Sequence, residues 1–448
     1  MSMSGDFMDG QARLLVYLQG HIDEERMARA VRLTLDAEPM LRYRFVDDAR
    51  RPHWELVEER DWSMFFRRFD RPTSSEELFA FMTEPVPPER APQIRVGLFR
   101  SEDDTLCIRS NHLTMDGGGA VQYLSLLSLM YRELERTPDH RPLPNPPVRP
   151  RPHCVLTGEC VLRGIRALPK LRPPGAEWGI SPTSDDLSGR AFTIRQIGPE
   201  RLQGLRSYAR EMGVTVNDVL LAAFCRALFT VADPPRYHSL RVEVPTNLRR
   251  YLPAEQARSI GDLSAVYFLN IDRRDEGLEQ TVRRVHCEID RKKRDRSELA
   301  GILLLELVLI PGAFALRKLK ERSGFRVAHP VLSNLGVIDE NKADFGSVPV
   351  KDVLPIGPVL YPPNVALGVT TFRQRMTLSI NYCDTAVDPR TMDRLLDLIL
   401  DELPGKPIHP NGREMQKMAT AASTLPAAQR EEAPSFAGTE EGEDDKVG

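Results

Sequence analysis

The stretch that decides the fold is residues 106–120, Leu-Cys-Ile-Arg-Ser-Asn-His-Leu-Thr-Met-Asp-Gly-Gly-Gly-Ala. Apolar residues alternate with others at Leu106 and Ile108, which predicts a β-strand that runs directly into His112. After the glycines at 117–119, apolar residues recur at helical spacing, which predicts a helix with one buried face: Val121, Leu124, Leu127, Met130, Tyr131 and Leu134. The stretch therefore predicts a strand, a glycine-rich turn and a helix, with a histidine at the end of the strand.

His112 is the strongest candidate for chemistry, because the end of a rigid strand can hold an imidazole in a fixed position. A neutral imidazole can accept a proton near neutral pH. Asp116 follows four residues later, and its carboxylate can either fold back on the turn or pair with a distant arginine. Either contact would fix the loop that aims His112. The same spacing of His, Asp and Gly also arises by chance, but its position between a strand and a helix favours a functional site.

The composition argues against several classes of protein. Hydrophobic residues make up 41% of the chain and charged residues 28%, as in an ordinary globular protein. The formal net charge of -3 gives no reason to expect nucleic acid as a partner. The six cysteines are scattered, without a Cys-x-x-Cys pair or a cluster with histidine. We therefore expect free thiols, and neither a zinc site nor a disulfide framework.

The apolar segments predict a cytoplasmic protein without a membrane span. The N-terminal residues lack a basic region followed by an apolar run, so we expect no signal peptide. The most apolar segment, 300–316, is short for a membrane span and contains Glu306 and Pro311. A buried helix with a break at Pro311 explains that segment better.

The length of 448 residues suggests two domains or lobes. Prolines cluster between 138 and 152, which predicts an extended connector near the middle of the chain. Strand and helix patterns mix in both halves, so the fold class is α/β or α+β. The predicted divisions are an N-terminal lobe with the histidine motif, a connector, a C-terminal lobe and a disordered acidic tail, at 1–160, 161–188, 189–405 and 406–448 respectively.

Residues His112-Leu-Thr-Met-Asp-Gly117 match a His-x-x-x-Asp-Gly signature. In this the chain resembles the superfamily of chloramphenicol acetyltransferase, nonribosomal peptide condensation domains, wax ester synthases, alcohol acetyltransferases and mycobacterial polyketide-associated acyltransferases. Further segments resemble parts of that superfamily in the expected order: 20–42, 214–223, 244–249 and 333–336. The resemblance runs from about residue 14 to residue 403.

The resemblance implies two chloramphenicol-acetyltransferase-like lobes that form a V-shaped pseudo-dimer with a central channel. His112 would be the general base, and Asp116 would orient the loop through an arginine, for which Arg249 is a candidate. Gly117 would keep the loop open. Substrate-binding residues would lie near the channel: Asn111, Gly118, Ser333 and Asn334. The resemblance implies no metal and no redox cofactor, with acyl-CoA or an acyl-phosphopantetheine carrier protein as co-substrate.

Three functions are compatible with these residues. The leading hypothesis is a stand-alone acyltransferase of specialised metabolism that acylates a small alcohol or amine. We expect a free-standing enzyme without an adjoining adenylation or carrier domain, and two fused lobes are consistent with a monomer. Asn111 stands where many relatives have a second histidine, which argues against ordinary peptide formation. The alternatives are a non-catalytic scaffold that binds a carrier protein, and an enzyme of the same fold that dehydrates, cyclises or epimerises a bound thioester.

Overall fold

A computed structural model describes most of the chain. The described residues are 7–48, 52–58, 65–70, 75–145, 161–162, 179–231, 238–295, 299, 302–303 and 329–405. Three predictions fall wholly or largely outside these residues: most of the connector, most of the helix at 300–316, and the acidic tail.

The first half of the chain alternates strands and helices. Its elements are β1 Gln11–Leu18, α1 Glu24–Ala37, β2 Tyr43–Val46, β3 His53–Leu56, β4 Phe66–Phe69, α2 Ser75–Thr83, β5 Ile94–Phe99, β6 Thr105–Asn111 and α3 Gly117–Arg136. The strand, turn and helix predicted around His112 correspond to β6, the loop at 112–116 and α3. The long helix α3 packs beside α1, and its apolar side is buried at Tyr123, Leu124 and Leu127.

The second half begins with β7 Ala191–Ile197, α4 Pro199–Glu211, α5 Val216–Val231, β8 Ser239–Asn247, α6 Ala254–Ala257, β9 Ser264–Asp272 and α7 Leu278–Asp295. It continues with β10 Val331–Val337, β11 Val350–Ile356, β12 Ala366–Phe372, β13 Arg375–Tyr382 and α8 Pro389–Glu402. Short 3-10 helices occupy Pro39–Arg42, Leu248–Tyr251 and Glu340–Ala343.

Two mixed sheets organise these elements. The first has the strand order β11-β1-β6-β5-β4, and the second has the order β7-β13-β12-β10-β8-β9. The strands β2 and β3 form a separate hairpin. A large apolar core lies between the second sheet and helices α4, α5, α7 and α8, and another lies between the first sheet and helices α1 and α3. The predicted mixed α/β class with two lobes is therefore confirmed.

The strand β11 departs from the predicted division of the chain. It follows β10 and precedes β12, which both belong to the second sheet, yet it pairs antiparallel with β1 in the first sheet. Residues 189–405, predicted as the C-terminal lobe, thus contribute an edge strand to the other lobe. Local periodicity can indicate a strand, but it carries no information about which sheet the strand joins.

An apolar cluster joins the two sheets where β11 lies. Leu354 pairs with Leu15 of β1, and both side chains are 1% exposed. Phe192 of the second sheet belongs to the same cluster. Close by, the Gln196 amide donates a hydrogen bond of 2.8 Å to the Asp352 carboxylate, which ties β7 to β11. The two lobes therefore share a packed core and are more than two domains on a linker.

No single helix within the described ranges is long and apolar enough to cross a membrane. The helices α4 and α5 meet the criteria of length and composition only as a pair, bent by 101° at the break between them.

The shared cluster predicts a large cost for Leu354→Ala. Removing a buried leucine side chain costs about 2–5 kcal/mol of unfolding free energy, because a cavity remains where the lobes meet. Val337→Ala is a matched strand control, since Val337 is 68% exposed, and its effect should stay within about 0.5 kcal/mol. Urea unfolding of the two variants measures the difference. Equal destabilisation would contradict the role given to β11.

Candidate active site

His112 directly follows β6, and its backbone is held on both sides. Its N–H donates a hydrogen bond of 2.7 Å to the Gly10 carbonyl. The neighbouring Asn111 amide donates to the Val86 carbonyl at 3.0 Å, and its oxygen accepts from the Leu113 N–H at 2.9 Å. The imidazole itself is 28% exposed. The turn is therefore fixed by backbone contacts while the ring remains open to solvent.

Asn111, predicted to bind substrate, hydrogen-bonds to the protein backbone through both ends of its amide. The side chain is 5% exposed, and both ends of its amide bind backbone groups of the protein. These two bonds use half of the hydrogen-bonding capacity of the amide, and the side chain is buried. The geometry assigns Asn111 to holding the turn around His112.

Asp116 caps the N-terminus of α3 and forms an ion pair with Arg249. One carboxylate oxygen accepts a hydrogen bond of 2.6 Å from the Gly119 N–H. Arg249 Nη1 lies 2.9 Å from each carboxylate oxygen, and the Leu263 N–H donates at 3.0 Å. The Asp116 and Arg249 residues are 5% and 6% exposed. The pair that the sequence suggested is thus in contact, in a buried setting with several hydrogen bonds.

Arg249 also binds the loop between α6 and β9, which we call the 259–263 loop. Its Nη2 donates to the Gly261 carbonyl at 2.8 Å and to the Ser259 carbonyl at 3.2 Å. The Gly261 carbonyl also accepts a bond of 3.3 Å from the Asp116 N–H. The loop therefore wraps the ion pair, and its backbone satisfies donors that would otherwise be buried without partners.

The three glycines at the start of α3 permit a close approach from the second lobe. A Cβ atom on Gly117 would lie 2.5 Å from Leu335 Cδ2 of β10, and one on Gly118 would lie 2.6 Å from Arg249 Nη1. On Gly119, the Cβ atom would lie 2.8 Å from a backbone oxygen of the 259–263 loop. Gly118 was predicted to bind substrate, but the space beside it is occupied by Arg249.

The predicted residues of β10 have different surroundings. The Asn334 amide donates to the Asn217 side chain at 3.1 Å, and its oxygen accepts from the Gly336 N–H at 2.8 Å. Ser333 follows the core residue Leu332 and therefore points to the opposite face of the sheet. The contact between Leu335 and Gly117 brings the end of β10 to the His112 loop. Of the two predicted residues, Ser333 is the one on the face away from the helical core.

The strand β8 carries a titratable residue that the sequence analysis did not identify. Glu243 lies between the core residues Val242 and Val244, so its side chain also points away from the helices. Burial raises the pKa of its carboxyl to about 7. Nearby, burial and the charge of Arg241 lower the pKa of His329 to about 4. Perturbed groups of this kind are common in functional clefts.

A carboxylate near His112, that of Asp262, was also not predicted from the sequence. Asp262 Oδ2 lies 4.0 Å from His112 Nδ1. Asp262 is far from His112 along the chain and belongs to no segment that the sequence analysis singled out, so local spacing gave no signal for it. Among the described residues, no group of three or more His, Cys, Asp or Glu side chains could hold a metal ion.

Comparison with known proteins identifies the fold. No protein-family model and no curated protein matches the sequence. Among solved structures, the first condensation domain of the CDA synthetase is 16% identical, with a TM-score of 0.64 over 89% of this chain and 93% of that one. The TRI3 trichothecene 15-O-acetyltransferase from Fusarium sporotrichioides is 14% identical, with a TM-score of 0.67 over 88% and 90%. Polyketide synthase associated protein 5 from Mycobacterium tuberculosis is 12% identical, with a TM-score of 0.61 over 87% of this chain and 93% of that one.

The chain has the condensation-domain fold. The fold implied by the signature around His112 is thereby confirmed, and at such low identities the likeness shows the fold alone. Within this condensation-domain fold, β6, His112 and α3 belong to the first lobe. Arg249, Leu335 and the 259–263 loop come from the second lobe. The candidate site is thus assembled where the two lobes meet.

The buried ion pair predicts that Asp116→Asn destabilises the protein. The substitution preserves size but leaves Arg249 charged and buried, which costs roughly 3–5 kcal/mol. Asp397→Asn removes an ion pair with Arg195 in which the aspartate is 55% exposed, so it should cost at most about 1 kcal/mol. Denaturant unfolding of both variants provides the comparison. A loss for Asp116→Asn no greater than that for the control would show that the pair contributes little.

A pair of glycine substitutions tests the close packing at α3. Gly119→Ala places a Cβ atom 2.8 Å from the Gly261 backbone oxygen. A backbone atom cannot rotate away as the end of a side chain can, so we expect a lower melting temperature. Gly204→Ala, on α4, meets nothing within 4 Å. There alanine should stabilise the helix by up to about 1 kcal/mol. Opposite signs in thermal unfolding support the packing, and a stabilising Gly119→Ala would refute it.

Proposed function

We propose that the protein is an acyltransferase that moves an acyl group from a thioester to a hydroxyl or amine, with His112 as the general base. The donor would be acyl-CoA or an acyl carrier protein, and the acceptor a small molecule. The observation that carries the proposal is the His112 loop. Its imidazole is 28% exposed at the end of a strand, while Asp116 beneath it is buried and bound to the other lobe. A partly exposed imidazole on a backbone held by hydrogen bonds can be reached by the proton that a general base accepts.

The proposed reaction needs only one proton-accepting group in the protein. His112 accepts the proton of the acceptor hydroxyl as its oxygen attacks the thioester carbonyl carbon, which gives a tetrahedral intermediate and an imidazolium. Collapse of the intermediate breaks the carbon–sulfur bond, and the imidazolium returns the proton to the departing thiolate. The products are the acylated acceptor and the free thiol, so atoms and charges balance. Ser333, on the sheet face away from the core, is our candidate for a substrate contact.

The intact pair of His112 and Asp116 favours catalysis over a scaffold role, because a scaffold would have no need of an open imidazole above a buried ion pair. Dehydration, cyclisation or epimerisation of a bound thioester would use the same base, and these reactions stay an alternative. These reactions differ from acyl transfer in their products, since they require no separate acceptor. We propose a cytoplasmic location, as the sequence predicts.

His112→Ala should remove transfer and preserve binding. Loss of a general base typically lowers the rate about 10²- to 10⁴-fold, whereas the donor is held by the walls of the site. The substitution should therefore reduce kcat with little change in donor affinity. The reduction in kcat should be smaller with an amine acceptor that is already deprotonated than with an alcohol acceptor. His238→Ala is a matched control, because that histidine is exposed and precedes β8.

The experiment uses a panel of acyl-CoA donors with alcohols and amines. Turnover is measured by mass spectrometry, donor binding by calorimetry and folding by circular dichroism. Near wild-type turnover by a folded His112→Ala variant would show that His112 is not the base.

A further inference from the structure

The carboxylate of Asp262 faces the ring of His112 from the second lobe. Asp262 Oδ2 and His112 Nδ1 are 4.0 Å apart, and their side chains are 39% and 28% exposed. The separation is too long for a hydrogen bond, but two groups at this distance still interact electrostatically. The mechanism proposed above assigns no task to this carboxylate.

The position of Asp262 follows from the buried ion pair. The residues on both sides of it bind Asp116: the Gly261 carbonyl accepts from the Asp116 N–H, and the Leu263 N–H donates to the Asp116 carboxylate. The Asp262 backbone is thus fixed by the residue that also caps the helix behind His112. The contact between Asp116 and the 259–263 loop therefore places the negative charge of Asp262 near the imidazole.

The orientation of the Asp262 side chain is fixed as well. Its Oδ1 atom accepts hydrogen bonds from the backbone N–H and the hydroxyl of Ser264. With one oxygen held in this way, the other oxygen is the one nearest to His112 Nδ1. A carboxylate restrained at both its backbone and one oxygen loses little conformational entropy when it interacts with the ring.

We infer that Asp262 is a positioning residue for His112, an inference that rests on the proposed function. A negative charge opposite Nδ1 favours the tautomer that carries its proton on Nδ1. That tautomer leaves the lone pair of Nε2 available for the acceptor proton. When His112 takes up this proton, the same carboxylate stabilises the imidazolium. Asp262 therefore acts through His112 and does not need to touch the substrate.

The partial exposure of both groups limits the size of the effect. Water and salt screen a pair of this kind more than a buried one. We expect removal of the carboxylate to lower kcat about two- to fivefold, which is the effect on a rate of an exposed ion pair at the upper end of its usual strength. This loss is much smaller than the loss on removal of the base itself.

The test compares Asp262→Ala, Asp262→Glu and Ser264→Ala in the full chain. The first readout is the ¹⁵N chemical shift of the two His112 ring nitrogens in protein labelled at histidine, at a pH where the ring is neutral. The signals are assigned by their loss in His112→Ala. Wild type should carry the proton mainly on Nδ1. Asp262→Ala should shift the balance towards Nε2, and Asp262→Glu should restore it at least in part.

Ser264→Ala is the matched control for the loop. It removes one hydrogen bond that orients Asp262 but preserves the carboxylate, so the tautomer shift should be smaller than in Asp262→Ala. Melting temperatures show whether any variant has lost the fold. A purely structural role for Asp262 would lower the melting temperature without changing the tautomer.

The second readout is steady-state transfer, in which Asp262→Ala should lower kcat and leave the donor KM unchanged. An Asp262→Ala variant with the wild-type tautomer and the wild-type kcat would overturn the inference while the proposed function stands. A tautomer shift in a protein that transfers no acyl group would support the positioning role and contradict the proposed function. The two claims are thus tested separately.

Discussion

The buried ion pair between Asp116 and Arg249 is the interaction on which the site depends. Burying two charges is expensive, and the cost is offset only when each charge has a partner and its remaining donors and acceptors are satisfied. Here Asp116 also binds the helix N-terminus, and Arg249 also binds the carbonyls of the 259–263 loop. The pair connects the loop that follows His112 in the first lobe to the second lobe. It therefore couples the position of the His112 loop to the contact between the lobes.

The remaining features of the site follow from this constraint. Residues 117–119 are glycines at positions where a Cβ atom would collide with Leu335, Arg249 or the 259–263 loop. The loop in turn carries Asp262 to the imidazole. Farther away, the chain passes from the second sheet to the first at β11, which contributes Leu354 and Ile356 to the apolar cluster between the sheets. Hydrophobic packing thus stabilises the contact between the lobes, while the ion pair defines the geometry of this contact near the His112 loop.

The sequence predicted the parts of this arrangement that local patterns encode. Alternation, glycine and helical spacing predicted the strand, turn and helix around His112, and the resemblance suggested Arg249 as a partner of Asp116. The sequence did not predict the pairing of β11 with β1 or the position of Asp262 near His112, because both depend on contacts between residues far apart in the chain. The contacts of Asn111 and Gly118 were not predicted for the same reason: the protein groups beside them come from other segments.

The central claim is acyl transfer to a separate acceptor, and the most direct test is the stoichiometry of the products. Wild-type protein is incubated with an acyl thioester, with and without alcohols and amines, and the free thiol and the product masses are quantified together. We expect thiol release that depends on the acceptor, with one acylated acceptor formed for each thiol. Thiol release that is independent of any acceptor, or a product that lacks the mass of the acyl group, would contradict it.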